Sequence, residues 1–267
     1  MKTAANPDYS RYQTLSFRME GSVLVMSFNR PEQRNAVNRV MHTELSQVFA
    51  EIATDARVNA VVVTGAGKAF SAGGDLDMVM NLTGPTLDAI MIEARKIILD
   101  MLELPQPIIA AMNGAAAGLG ATLGLFCDVI FAAENARIAD PHVHIGVTAG
   151  DGGAVIWPLL VGVARAKEYL MTGDPVSATE ADRIGLINHV VPEGQAFERA
   201  MALATRLANG SAIAIRSTKR AVNKNLAHNV NQTLDLSLQL EKECFATPWH
   251  KEAVARVAAA ISSKKPA

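Results

Sequence analysis

The chain has 267 residues, 49% of them hydrophobic and 19% charged, enough for one large domain with a sizeable core. Its 25 Lys and Arg nearly cancel 26 Asp and Glu, and a formal net charge of −1 argues against a general nucleic-acid binder, which carries a basic excess. Two cysteines, Cys127 and Cys244, cannot build a disulfide framework, so a reducing, cytoplasmic compartment is expected, and the start MKTAANPDYSRYQ lacks the apolar stretch of a signal peptide.

Residues 14–30 read as two short strands around a Glu-Gly turn, with alternation in VLVMSF. A helix is predicted from Asn38 to about Thr54, where Val40, Leu45, Val48, Phe49 and Ile52 recur at helical spacing. NAVVVTG is a buried strand that ends in the Gly65–Gly67 loop, and 86–103 is an amphipathic helix. Residues 104–127 then run without a charge or a histidine. Such length suggests a membrane span, but Pro105, Pro107, Gly114, Gly118, Gly120 and Gly124 disfavour one long helix. A buried strand (IIAAM), an Asn-Gly turn and a small-residue helix over 118–126 fit better, followed by the strand DVIFAA. The passage is β-α-β and the class α/β.

After Gly162 the pattern turns helical, over 163–171, 178–183, 195–208, 211–224, 230–245 and 249–262, with one more strand at INHVV, 187–191. The expected division is a β/α core over 1–200 and a helical region over 201–267, with a frayed SSKKPA tail.

Three loops follow strands, where ligands of α/β folds gather. GAGKAFSAGGDLDM (65–78) lets backbone approach a ligand closely, or is a plain glycine turn with Asp75 capping a helix. NGAAAGLGAT (113–122) offers free N–H donors at a helix start, or a close-packed helix. In the third loop, 139–158, Asp151 is the single charge between Pro141 and Ala164, near His142 and His144. It is a candidate for proton chemistry or the N-cap of a helix from Gly152. His-x-His would place both rings on one strand face, and no spacing completes a zinc set, so no metal is expected.

In this order, NRPEQRNAVN (29–38), AFSAGGDLDM (69–78), PIIAAMNGAAAGLGATL (107–123) and GLINHVVPEG (185–194) resemble the crotonase, or enoyl-CoA hydratase/isomerase, superfamily. The resemblance implies a spiral of β-β-α units with a helical C-terminal trimerisation region, assembled as a homotrimer or a hexamer of two trimers. It implies an acyl-CoA substrate, with coenzyme A as part of the thioester, no further cofactor, and no nucleic-acid or membrane partner. Matching motif positions put the oxyanion hole on the N–H groups of Gly74 and Leu119. Coenzyme A contacts fall on Arg34, Ala36, Ala72, Asp75 and Leu76. Asp77 stands where many hydratases carry a phosphate-binding Lys, with Arg34 or Lys68 as substitutes.

The two glutamates of a hydratase are absent. Thr122 and His142 occupy their positions, and a Thr hydroxyl is no acid or base at neutral pH. PHVHIGVTAGDGGAVIWP resembles the branch containing the β-diketone hydrolases, in which a His and an Asp nine residues apart serve retro-Claisen cleavage, and His142 and Asp151 match that pair. The second-loop His of that hydrolase has no counterpart in AAAGLG. Three functions stay open: hydration or isomerisation of an enoyl-CoA, hydrolytic C–C cleavage of a β-keto substrate, and non-catalytic acyl-CoA binding. Segment 79–100 is the expected cover of the acyl pocket.

Overall fold

A Glu20-Gly21 turn, with Gly21 at φ +60°, joins β1 (Leu15–Glu20) to β2 (Val23–Phe28) as an antiparallel hairpin. The computed structural model describes residues 6–262; the predicted fraying of SSKKPA falls, from residue 263 on, outside them. From β2 onward the sheet is parallel, through β3 (Ala60–Gly65), β4 (Ile108–Met112), β6 (Val129–Ala133) and β9 (His189–Val191). The spatial order is β1-β2-β3-β4-β6-β9.

β3 and β4 are buried at every position because helices cover both faces. On one face Leu24, Met26, Val61, Val63, Ile108 and Ala110 pack with α1 (Arg39–Thr54) and α3 (Gly84–Glu103). Their alternate neighbours Val23, Val25, Ala60, Val62, Ile109 and Ala111 meet α8 (Ala196–Ala208). That helix lays down Ala196, Ala200, Ala204 and Ala208, four small side chains one turn apart. α1 begins where Asn38 accepts a bond from the Met41 N–H, as the sequence predicts.

The uncharged run divides as expected and gains one strand. After β4, the Asn113 side chain accepts from Gly65 N–H (3.2 Å) and donates to Gly67 carbonyl (2.8 Å), joining two loops. β5 (Ala116–Ala117) and α4 (Leu119–Leu125) follow. β5 belongs to a second sheet, β5-β7-β8, with β7 at Arg137–Ala139 and β8 at Val176–Ser177. These two- and three-residue strands are too short to show a period in sequence. Among the described residues no helix is long and apolar enough to cross a membrane.

The remaining helices are α2 (Leu76–Met80), α5 (Gly153–Val161), α6 (Val163–Thr172), α7 (Ala178–Arg183), α9 (Ala212–Phe245) and α10 (Pro248–Ser262). Here the structure corrects one prediction: 211–224 and 230–245 are a single helix of 34 residues, α9. Asn225–Asn229 holds neither Pro nor Gly, and its Leu226 and Ala227 continue the packing against the core, so nothing breaks the backbone ladder. α9 lies along α3, where Asn223 donates to the Leu102 carbonyl (2.9 Å) and Arg95 pairs with Asp235. Its far end returns to the third loop.

Candidate active site

Asn35, buried and at φ +56°, fastens the first motif to the first loop, 65–78. Its Nδ2 donates to the carbonyls of Ala69 (2.8 Å) and Ala66 (2.9 Å), and its Oδ1 accepts from Arg30 N–H (3.0 Å). The strands of chain beside it then bond in parallel register. Val37 N–H donates to Gly73 carbonyl (2.8 Å) and Asp75 N–H to Val37 carbonyl (3.0 Å). Such pairing uses alternate N–H groups, and that of Gly74, between them, has no hydrogen bond among the described residues. Across the cavity, Gly118 caps α4 and Leu119 is its first residue, so the Leu119 N–H is likewise free of a backbone partner. Gly73, at φ +81°, admits no side chain: a Cβ there would lie 2.6 Å from the Ala117 carbonyl oxygen. That close approach brings the two loops together.

The third loop does not form the strand face imagined for His-x-His. His142–Ile145 is a 3-10 turn, and the two rings diverge. His144 Nε2 bonds the Thr172 carbonyl at 2.8 Å, whereas His142 Nδ1 bonds Asp140 and its Nε2 lies 3.5 Å from Asp151 Oδ2. Asp151 is not the helix cap either. Gly152, at φ +118°, caps α5, which frees the Asp151 carboxylate to accept from the Thr122 hydroxyl (3.3 Å). Thr122, at the position of the missing glutamate, thus orients an acid in place of being one. The His142 ring rests against the cap of α4, its Cε1 3.5 Å from where a Cβ on Gly118 would stand.

Burial alone would lower the His142 imidazolium pKa, but the carboxylates of Asp140 and Asp151 raise it well above the usual histidine value. The two carboxylates thus favour the protonated ring against the cost of its burial. Glu241 of α9 completes this wall. It is buried, and that burial together with the charge of Asp151 pushes its pKa up to about 8. A second pair stands on α1 and α3: His42 Nδ1 bonds Glu93 (2.7 Å), which Arg39 also grips. Burial works against Glu93 ionisation, yet His42 and Arg39 bring its pKa down to about 2.

A cavity of about 280 Å³ is lined by His42, His142, Asp151 and Glu241 of these groups. Gly74, Leu119, His142 and Asp151, all predicted from sequence, line it together with Ala72 and Leu76. Arg34, Ala36 and Asp75 do not line it. Arg34 carbonyl accepts from Ala72 N–H (3.0 Å), Ala36 carbonyl accepts from Arg30, and Asp75 pairs with Arg30 (3.0 Å) while capping α2. The apolar lining from Met78, Val79, Ile90 and Met91 falls in the expected 79–100 segment, except for Met78 just before it. Sequence reasoning missed Asp140, Glu241 and His42. Asp140 adjoins the PHVH motif and was within reach; Glu241 and His42 are 90 and 109 residues from Asp151, with no local signal. Asp140, His142 and Asp151 offer ligand atoms within 4.8 Å of one another, a spacing a cation would fit. The hydrogen bond on Nδ1 and the proton implied on Nε2 describe a hydrogen-bonded triad.

The Enoyl-CoA hydratase/isomerase family model matches residues 18–258. The short-chain-enoyl-CoA hydratase of Clostridium acetobutylicum is 34% identical over 236 residues, 88% of this chain and 90% of that protein. The 1,2-epoxyphenylacetyl-CoA isomerase of Escherichia coli is 32% identical, over 88% of this chain and 92% of that one. A crystal structure of an enoyl-CoA hydratase/isomerase from Mycobacterium paratuberculosis superposes with a TM-score of 0.90 at 36% identity, covering 93% of this chain and all of that one. With its spiral β/α core, its C-terminal helices and its paired free N–H groups on one cavity, the chain belongs to the enoyl-CoA hydratase/isomerase family, whose enzymes act on CoA thioesters without a further cofactor.

Proposed function

We propose that the protein hydrolyses a carbon–carbon bond in a β-keto acyl-CoA, with Asp151 and His142 activating water and the N–H groups of Gly74 and Leu119 holding the thioester enolate. The observation that carries this reading is the Asp140–His142–Asp151 triad set against the cap of α4, where a hydratase keeps a glutamate. Asp151 takes a proton from water as its oxygen bonds the β-carbonyl carbon. The His142 imidazolium hydrogen-bonds the oxyanion formed there and keeps its proton, so that the oxyanion's electron pair can re-form the carbonyl of the departing carboxylic acid. When the Cα–Cβ bond breaks, its electron pair passes into the thioester, and the negative charge settles on the oxygen between the two N–H groups. Preorganised donors of this kind contribute roughly 3 kcal/mol each. Arg34, Ala36, Ala72, Asp75 and Leu76 line the course proposed for coenzyme A, largely through backbone.

Hydration of a 2-enoyl-CoA is the second reading, favoured by the hydratases among the relatives; the same groups would add water to the β-carbon. Both readings suit a trimer or a pair of trimers, for which the exposed Ile213, Val222, Leu236 and Leu240 of α9 supply apolar surface. Free Cys127 and Cys244 fit a reducing, cytoplasmic setting. Turnover of matched β-keto and 2-enoyl acyl-CoA panels, with products followed by mass, separates the reactions. Carboxylate and shortened acyl-CoA are expected, with Asp151→Asn and His142→Ala reducing kcat by about 10²–10⁴. Turnover of enoyl substrates alone would replace cleavage by hydration. Tight binding with no turnover would leave an acyl-CoA binder.

A further inference from the structure

A thioester enolate must receive a proton at its α-carbon, and neither reaction above has yet a donor for it. Thr122 is unsuited, and His142 is engaged between two carboxylates. We infer that Glu241, on the C-terminal helix α9, is the acid that protonates the α-carbon, taking over the task of the glutamate that Thr122 replaces. The inference rests on the enolate reading of this site, and it holds for cleavage and hydration alike.

Three geometric facts carry it. The side chain lines the same cavity as Gly74, Leu119, His142 and Asp151 although its residue is only 5% exposed. Its Oε2 is buried without a hydrogen-bond partner among the described residues, so the carboxyl of this cavity-lining residue has a polar atom that no protein group satisfies. Its placement is also built: the Ser237 hydroxyl, one turn earlier on α9, donates to the Gly150 carbonyl (2.8 Å). Gly150 lies so close that a Cβ on it would stand 2.5 Å from Oε2. The third loop therefore closes directly over the carboxyl.

Charge balance gives the same answer. The titratable groups facing Glu241 are Asp151, His142 and Asp140 from the third loop and the end of β7. Their two carboxylates already share the one imidazolium. The neighbouring cation on its own helix, Lys242, is drawn away to Asp88 (2.6 Å). A third carboxyl in such a cluster keeps its proton at neutral pH, in accord with its raised pKa. After transfer, the α-carbon holds the new C–H bond and Glu241 is a carboxylate. The proton that Asp151 took from water then passes to Glu241, restoring both groups.

The reverse step gives a test that does not depend on which reaction the enzyme runs. In D₂O, the wild-type protein should exchange the α-hydrogens of butyryl-CoA, followed by NMR, with a rate that rises towards a plateau above about pH 8, as Glu241 becomes the carboxylate base. Glu241→Gln should lose about 100-fold in exchange and in turnover, lose that pH dependence, and bind butyryl-CoA within about threefold of wild type. Glu241→Asp should restore part of the exchange. Exchange at the wild-type rate in a folded Glu241→Gln protein, as judged by circular dichroism, would overturn the assignment and leave the enolate reading standing. Wild-type protein that binds butyryl-CoA without exchange would overturn both.

Discussion

The two walls of the cavity are made of different material. One is backbone: Gly73, Gly74, Gly118 and Leu119 present N–H groups and almost no side chain. The other is three ionisable side chains, His142, Asp151 and Glu241, backed by Asp140 behind the His142 ring and drawn from the third loop and from a helix 90 residues on. The first wall is rigid because its donors are set by loop pairing and a helix start. The second depends on how three carboxyls and one imidazole divide their protons. On the proposed reading, the enolate is held by backbone N–H groups, which side-chain changes reach only by moving the chain, and the reaction's identity lies with side chains, where substitutions act directly.

The sharpest way to break this comparison is to alter the backbone wall without touching a titratable group. Gly73→Ala puts a Cβ within 2.6 Å of the Ala117 carbonyl oxygen at a φ of +81°. The loop must shift and carry the Gly74 N–H with it. A fall in kcat of about 10²–10³ is expected, with exchange lost in parallel. Steady-state kinetics showing an unchanged kcat would mean that this wall is packing alone.

Thr122→Val probes the join between the walls. It removes the hydroxyl that donates to Asp151 (3.3 Å) while keeping volume in the buried helix start. Roughly a fivefold fall in kcat with little change in KM is expected, since one bond of about 1 kcal/mol positions the carboxylate. A change confined to KM would assign Thr122 to the substrate's acyl group.

The smallest expected effect on activity assays, but a direct reading of the charged wall, is stability against pH. Glu241 holds its proton up to about pH 8 when folded and releases it from an ordinary value of 4.5 when unfolded. Between those values the folded state binds more protons, so stability falls as pH rises from about 4.5 to 8. The loss attributable to this group is roughly 2–4 kcal/mol, and Glu241→Gln should lack it. Urea unfolding at pH 5 and pH 8.5 reads the difference; parallel pH profiles for the two proteins would show that Glu241 is ionised throughout.

The sequence alone determined the family and the backbone wall. Runs such as AFSAGG and NGAAAGLG announce close chain approach within a few residues, and the two N–H donors follow from local register and a helix start. The boundaries of the buried strands were equally legible, because IIAAM and AVVVTG are apolar throughout and bounded by turns. Local pattern misjudged α9, where Asn225, His228 and Asn229 made one helix read as two, and the His142–Ile145 turn, where a short motif has no period. Only the tertiary structure decided the charged wall. Asp151, read from the sequence either as a helix cap or as the partner of His142, faces His142 because Gly152 caps α5. Thr122 became its support, and Glu241 entered because α9 folds back onto the third loop. Proton affinity in such a cluster is set by burial and by neighbours distant in the chain, and no spacing along a sequence encodes either.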